Sequence, residues 1–578
     1  MASIELVELA APEPVADRSA GAPACPVVRS KDGDNGGLER RASLTAANNG
    51  NGADPPQVPV AAPPSPGAVA NRPVPPPDRG RGAYLVLAAC ALAQAPIWGY
   101  SLSFGVFQQY YTAHSLRHAS PGAIASIGTS QTGVLYLAVP VVSAVLTRFP
   151  RLRPWCGPVG LVVAVASLAG SSAPGASGVD SGSGAHADGA VAPLIATQGV
   201  LYALGCALLF GPASLCLDDW FVARKGLAYG IMWAAKSVVG SGLPLLVAAL
   251  LARYGLVATL RAWAVASALL ALPVLFFLQP RVPADGRSGV VASNDAQGDS
   301  GETPSNGQSG DQHSGDEPNP PSSVSSAPGA LSSRASLVFL RRPLFWMLMV
   351  GNTVQSLGYQ MPNTYLASYA NATTTSPTST PALATYTGPL LLALSSVGSV
   401  PGALVMGLLG DRLRNTTVVL ISSAGSVVAV FALWYVSDVV ASTNDQSRAL
   451  GLLIAFALAY GFFAGGFSST WSAVLHEMKR RDSAAHTGLV FGMLMGGRGL
   501  GFVLSGPVSG ALLATAQHSG GSSSSSSSNS AAAAAAKYYA PLILCTGTTA
   551  AFGAWGALWT LGQPCRRLAR RAVGVLCR

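Results

Sequence analysis

Two apolar stretches of this chain, set apart at one constant offset, each carry a single cation at the same place. Lys236 lies in GLAYGIMWAAKSVVGSG and Arg498 in GLVFGMLMGGRGLGFVLSG. Setting Gly226 against Gly488 also pairs Leu227 with Leu489, Gly230 with Gly492 and Ala235 with Gly497. Each cation falls about ten residues into a segment of membrane-spanning length, ~15 Å deep and near the midplane of a ~30 Å hydrocarbon core. A charge at that depth is costly unless it faces a partner, a ligand or a water-filled cavity. The chain must therefore fold as a duplicated membrane structure that gives both cations such a place.

Composition agrees. Only 10% of the 578 residues are charged and 49% are hydrophobic, with a mean hydropathy of +0.39, whereas a soluble domain carries about 25% charged residues. The net charge of +10 does not mark a nucleic-acid binder. The basic residues fall in short segments between apolar stretches, which is the positive-inside pattern. Eight cysteines are scattered without a CxxC pair, so neither a metal site, a cofactor site nor a disulfide framework is expected. The N-terminus has no basic-then-apolar leader, and the first membrane helix is expected to act as the insertion signal.

The apolar pattern predicts twelve spans: 83–107, 123–146, 154–173, 192–217, 226–251 and 256–278, then 343–369, 386–410, 416–437, 449–474, 487–513 and 538–561. This is an all-α membrane protein of two pseudo-symmetric six-helix bundles. The expected domains are a disordered cytoplasmic tail (1–80), an N-terminal bundle (81–279), a flexible cytoplasmic linker (280–341), a C-terminal bundle (342–562) and a basic cytoplasmic tail (563–578). Arg148, Arg151, Arg153, Arg224, Lys225, Arg412, Arg414, Lys479, Arg480 and Arg481 follow alternate spans, which predicts that this face and both termini are cytoplasmic. The serine run at 522–528 and the alanine run at 531–536 read as an outer loop. Asn371-Ala372-Thr373 reads as a glycosylation sequon on the outer loop after span 7.

Gly407-Leu-Leu-Gly-Asp411-Arg412-Leu-Arg414 resembles the GxxxDRxxR loop of the major facilitator superfamily, and with six plus six spans implies that fold. Trp220-Phe221-Val-Ala-Arg224-Lys225-Gly-Leu227-Ala228-Tyr-Gly230 resembles the YFxKRRxLAxG signature of its monocarboxylate-transporter-like branch, in the fungal form. The resemblance covers most of 83–513. It implies a secondary carrier in a fungal membrane, the plasma membrane first and the vacuolar membrane as the alternative. The branch's first-helix motif is reduced to DRGRGAY (Asp78 to Tyr84). Characterised animal members carry a lysine in helix 1 and an Asp–Arg pair in helix 8, where this chain has Ser399 and Ala403. Proton-coupled lactate transport is therefore not carried over residue by residue.

Lys236 and Arg498 are the leading candidates for binding a small anionic substrate, a guanidinium being suited to bidentate carboxylate capture. The alternative is that each is tied to helix carbonyls. Tyr100, Trp233, Gln355 and Tyr359 are candidates to share the cavity, the last two being spaced i, i+4 on one helical face. Asp219, Arg224, Lys225, Asp411 and Arg412 are expected to form a cytoplasmic gate or latch. No Asp or Glu falls deep within a predicted span, which leaves any proton coupling to Lys236 or to the substrate itself. No nucleotide-binding loop or catalytic triad is recognisable, so enzyme activity is not expected. The bilayer and a small organic anion, with or without protons, are the expected partners of a monomer. A carrier of a neutral or secreted secondary metabolite and a non-transporting nutrient receptor are the alternatives.

Overall fold

The computed structural model describes residues 75–116, 119, 121–172, 191–281, 335–374, 381–442, 445–482, 485–520 and 531–556. Most of the expected tail (1–80), most of the linker (280–341), the serine run and the 563–578 tail lie outside the described residues.

The described chain is all-α. Its helices are α1 (Arg81–Ser115), α2 (Pro121–Arg148), α3 (Arg153–Ser171) and α4 (Val191–Trp220). The run Lys225–Phe277 is broken at Gly255, whose φ of 77° is left-handed and leaves non-helical backbone. It thus divides into α5 (225–254) and α6 (256–277). The second half holds α7 (Pro343–Thr374), α8 (Pro381–Arg412), α9 (Asn415–Ala441), α10 (Gln446–Arg481), α11 (Thr487–Gly520) and α12 (Ala531–Phe552). Nine helical runs of the described chain are long and apolar enough to cross a membrane. α7 falls short of that measure, which fits its internal Asn352, Gln355, Gln360 and Asn363.

The halves meet along two pairs, α5 with α8 and α2 with α11. Contact is closest at Gly226 and Gly407, where a Cβ on Gly226 would stand 2.2 Å from the Gly407 carbonyl oxygen. Only hydrogen fits between these backbones. Gly506 and Gly510, also spaced for close packing, have nothing within 4 Å of a built Cβ, so spacing alone does not make a helix contact.

Three sequence expectations are corrected. The alanine run 531–536 is not a loop but the start of α12, as the highest helix propensity among residues would favour. The Asn371–Thr373 sequon lies in the last turns of α7 rather than in a loop, and Thr373 is buried with its hydroxyl donating to the Tyr369 carbonyl at 2.8 Å. α9 runs past residue 437 and takes in Asp438, buried and accepting from the Tyr369 hydroxyl at 3.0 Å. A carboxylate does therefore lie inside a membrane helix, at its end remote from the basic loops.

Candidate functional site

Lys236 projects from α5 into a box of rings. Its ammonium lies 4.1 Å from the Trp98 ring centroid, 5.3 Å from Trp233 and 5.8 Å from Tyr136, and it donates to the Tyr136 hydroxyl at 3.3 Å. Arg498, 2% exposed on α11, has its own box. Its guanidinium carbon is 4.7 Å from Tyr359, 5.1 Å from Phe502 and 5.8 Å from Trp471. Cations are held over ring faces by the ring quadrupole, and more strongly where water is excluded. The boxes share walls: Tyr136 packs edge-on against Phe502 at 5.1 Å, and Trp233 against Trp471 at 5.9 Å.

Nothing acidic balances the pair. Among the described residues neither cation has an ion-pair partner, the acidic side chains lying toward the helix ends. Arg498 Nε and Nη1 and the indole N–H groups of Trp98 and Trp233 are buried with no acceptor among the described residues. A buried donor left unpaired costs about 1–3 kcal/mol, more when charged. The site thus presents an excess of positive charge and of donors, which an acceptor-rich anion would relieve.

Local sequence sets the geometry. Trp233 precedes Lys236 by three residues and Phe502 follows Arg498 by four, so each ring lies on its cation's own helical face. Asn352 of α7 holds Trp471 in place: its side-chain oxygen accepts from the indole N–H at 3.1 Å, while its amide donates to the Leu494 carbonyl at 2.8 Å. Small Gly497 beside Arg498 lets α7 approach, with Met349, Thr353 and Asn352 nearest.

The structure brings four of the six proposed binding residues together: Lys236, Arg498, Trp233 and Tyr359. Tyr100 is placed elsewhere. Its hydroxyl donates to Gln198 Oε1 at 2.6 Å, an oxygen that also accepts from Tyr111 at 2.8 Å, and its ring packs on Phe107 and Tyr202 inside the N-terminal half. Gln355 is also turned away. It is buried beside Gly553 and Ser423, between α7, α9 and α12. Four residues advance a helix by about 400°, so i and i+4 differ by about 40°, enough to send Tyr359 to the interface and Gln355 into its own bundle. Trp98, Tyr136 and Phe502 escaped the sequence reading. Tyr136 is the only aromatic residue in α2, a signal that was available.

The residues expected to form a cytoplasmic latch make different contacts from those the sequence suggested. Asp411 reaches across from α8 and accepts from the backbone N–H groups of Gly226 at 2.6 Å and Leu227 at 2.8 Å. It caps the first turn of α5, whose own N-cap residue Arg224 contributes no side-chain bond. Lys225 pairs with Asp218 rather than Asp219, and Thr487 of α11 donates to the same carboxylate. Asp219 pairs within its own half, with Arg153 at 2.8 Å. The Arg224 and Arg412 side chains are exposed and take no described part. Two residues that sequence reasoning missed complete the arrangement. His476 of α10 contacts the Val222 carbonyl at 3.1 Å, and Asp78 accepts from Val222, Ala223 and Arg224 N–H at 2.9–3.1 Å. Five hydrogen bonds between the halves gather at this basic end.

No family model matches the chain. It is 25% identical over 444 residues to the MFS-type transporter pynF of Aspergillus niger, covering 77% of this chain and 84% of that protein. It is 24% identical over 447 residues to the MFS transporter asaE of Aspergillus flavus, covering 77% and 83%. A shorter stretch of 185 residues, 31% of this chain and 35% of its relative, is 31% identical to the Fujikurins efflux protein of Gibberella fujikuroi. Among solved structures, a bacterial homologue of the iron transporter ferroportin in an outward-facing state superposes with a TM-score of 0.53 at 14% identity, over 83% of this chain and 99% of that one. The chain has the major facilitator fold. It is an integral multi-pass membrane protein similar in sequence to fungal transporters of that type. In this fold the two cations stand on the fifth helix of each half and face one another across the seam between the bundles.

Proposed function

We propose that this protein is an alternating-access carrier of a small organic anion, bound between Lys236 and Arg498. One observation carries the reading: cations from opposite halves share an aromatic box that holds unpaired donors and no carboxylate. A substrate touching both halves near midplane, with a latch at one end, has the arrangement that rocking bundles need. The Trp220–Gly230 segment supports a place in the monocarboxylate-transporter-like branch, and hence a monocarboxylate or related metabolite. The basic loops support cytoplasmic termini, a monomer in the plasma membrane is the simplest assembly, and coupled protons would travel with Lys236 or the substrate.

A second reading, export of a secreted metabolite, is favoured by the similarity to a protein named for fujikurin efflux. It uses the same site and differs in cargo and direction.

The experiment is uptake of labelled organic acids by proteoliposomes carrying wild type, Lys236→Ala or Arg498→Ala. Both variants are expected to insert and fold yet to lose anion flux. Undiminished flux in both variants would remove the cations from the site.

A further inference from the structure

The chemistry of the box narrows the cargo. Six aromatic rings stand around the two cations: Trp98, Trp233 and Tyr136 about Lys236, and Tyr359, Trp471 and Phe502 about Arg498. We propose that the ligand is a flat, conjugated organic anion with several acceptor oxygens, of the enolised β-dicarbonyl or oxygen-bearing aromatic acid class, rather than a short aliphatic acid. This rests on the carrier reading above and specifies its substrate.

Three observations combine. The first is charge. Lys236 and Arg498 come from different halves and neither has an acidic partner among the described residues, and a buried charge left without a counter-charge is costly. An anion whose charge is spread over several oxygens meets both.

The second is the supply of donors. Arg498 Nε and Nη1 and the Trp98 and Trp233 indoles are buried without acceptors, and no acidic side chain lies among the described residues of the box. A ligand with several oxygen acceptors satisfies these groups. One bearing an ammonium or several hydroxyl groups would bury donors with nowhere to place them. Amino acids and sugars are thereby disfavoured.

The third is shape. Rings prefer offset or edge-on partners at 4.5–7 Å, the spacing the site's own rings keep among themselves. A planar π-system continues that packing. A flexible aliphatic chain gains the apolar contact alone.

The test is calorimetric titration of the full-length protein in lipid nanodiscs with sodium dehydroacetate, a planar enolate with several acceptor oxygens, against sodium lactate and sodium hexanoate. Dehydroacetate is expected to bind at least about tenfold more tightly than either. Trp98→Leu should weaken it by about five- to tenfold, the worth of one aromatic contact, and should weaken lactate less. Tyr359→Leu serves the same purpose should the Trp98 change fail to fold. Lactate or hexanoate binding as tightly as dehydroacetate would overturn the substrate class and leave the carrier intact. Flux of every anion surviving in Lys236→Ala and Arg498→Ala would instead overturn the carrier reading beneath it.

Discussion

Lys236 stands 4.1 Å over the ring of Trp98, and the same relationship recurs in the second half, where Arg498 stands 4.7 Å over Tyr359. In each half the first helix supplies a ring and the fifth a cation. The duplication visible in the sequence around Gly226 and Gly488 therefore extends to a pair of contacts that no linear alignment displays. The two units meet through Tyr136, which touches Lys236 by its hydroxyl and Phe502, beside Arg498, by its ring.

Tyr136 should thus matter to binding through its hydroxyl. Tyr136→Phe keeps the ring against Trp98 and Phe502 and removes the 3.3 Å contact with the ammonium. A hydrogen bond to a charged group contributes about 1.5–3 kcal/mol. The variant is expected to fold normally and to need at least about tenfold more substrate for half-maximal uptake. An unchanged concentration dependence would show that the hydroxyl only positions the ring.

Asp411 should help to hold the basic end closed. Its carboxylate caps two backbone N–H groups of α5 from across the seam, and loss of such a cap costs about 1–2 kcal/mol. Asp411→Ala should raise the population open at that end by about 5- to 30-fold, with Asp411→Asn, which keeps one acceptor oxygen, between the two. The measurement is maleimide labelling of a cysteine placed at Thr487, which lies on the closed seam. Labelling that does not quicken in Asp411→Ala would mean that packing alone keeps the seam shut.

Packing makes its own prediction at the same seam. A Cβ on Gly407 would stand 2.4 Å from the Gly226 carbonyl oxygen, which backbone cannot yield cheaply, whereas Gly506 has open space around it. Gly407→Ala is expected to insert in the membrane yet lose most transport, and Gly506→Ala to transport as wild type. Equal activity of the two would show that the α5–α8 contact is not needed for the transport cycle.

The fold was legible because hydrophobic periodicity in a bilayer is almost a direct record of helix number, and all twelve helices fall where the apolar runs lie. The cation pair was legible for a related reason: buried charge is rare enough in such runs to stand out. Trp98 and Phe502 were not, since an aromatic residue in an apolar run looks the same whether it packs a core or walls a site. Gln355 misled because a shared helical face is broad, and a 40° offset decides which bundle a side chain enters. The contacts made at the basic end were not legible. Acidic Asp411 was matched in sequence to neighbouring cations, whereas in space it found the unsatisfied N–H groups of a helix start, which sequence does not label.

Tyr100 tests the boundary between site and scaffold. Its hydroxyl shares Gln198 Oε1 with Tyr111, and its ring packs between Phe107 and Tyr202, so its partners belong to the N-terminal half. Tyr100→Phe removes one of the two bonds to that oxygen and leaves the ring in place. A single neutral hydrogen bond contributes about 1 kcal/mol net, so thermal unfolding in detergent should begin slightly lower, by about 1 °C for a chain of 578 residues. Because the remaining bond from Tyr111 keeps Gln198 oriented, the six rings around Lys236 and Arg498 should not move, and substrate affinity should match wild type. A variant that melts as wild type but binds its anion more weakly would move Tyr100 from the scaffold into the binding site.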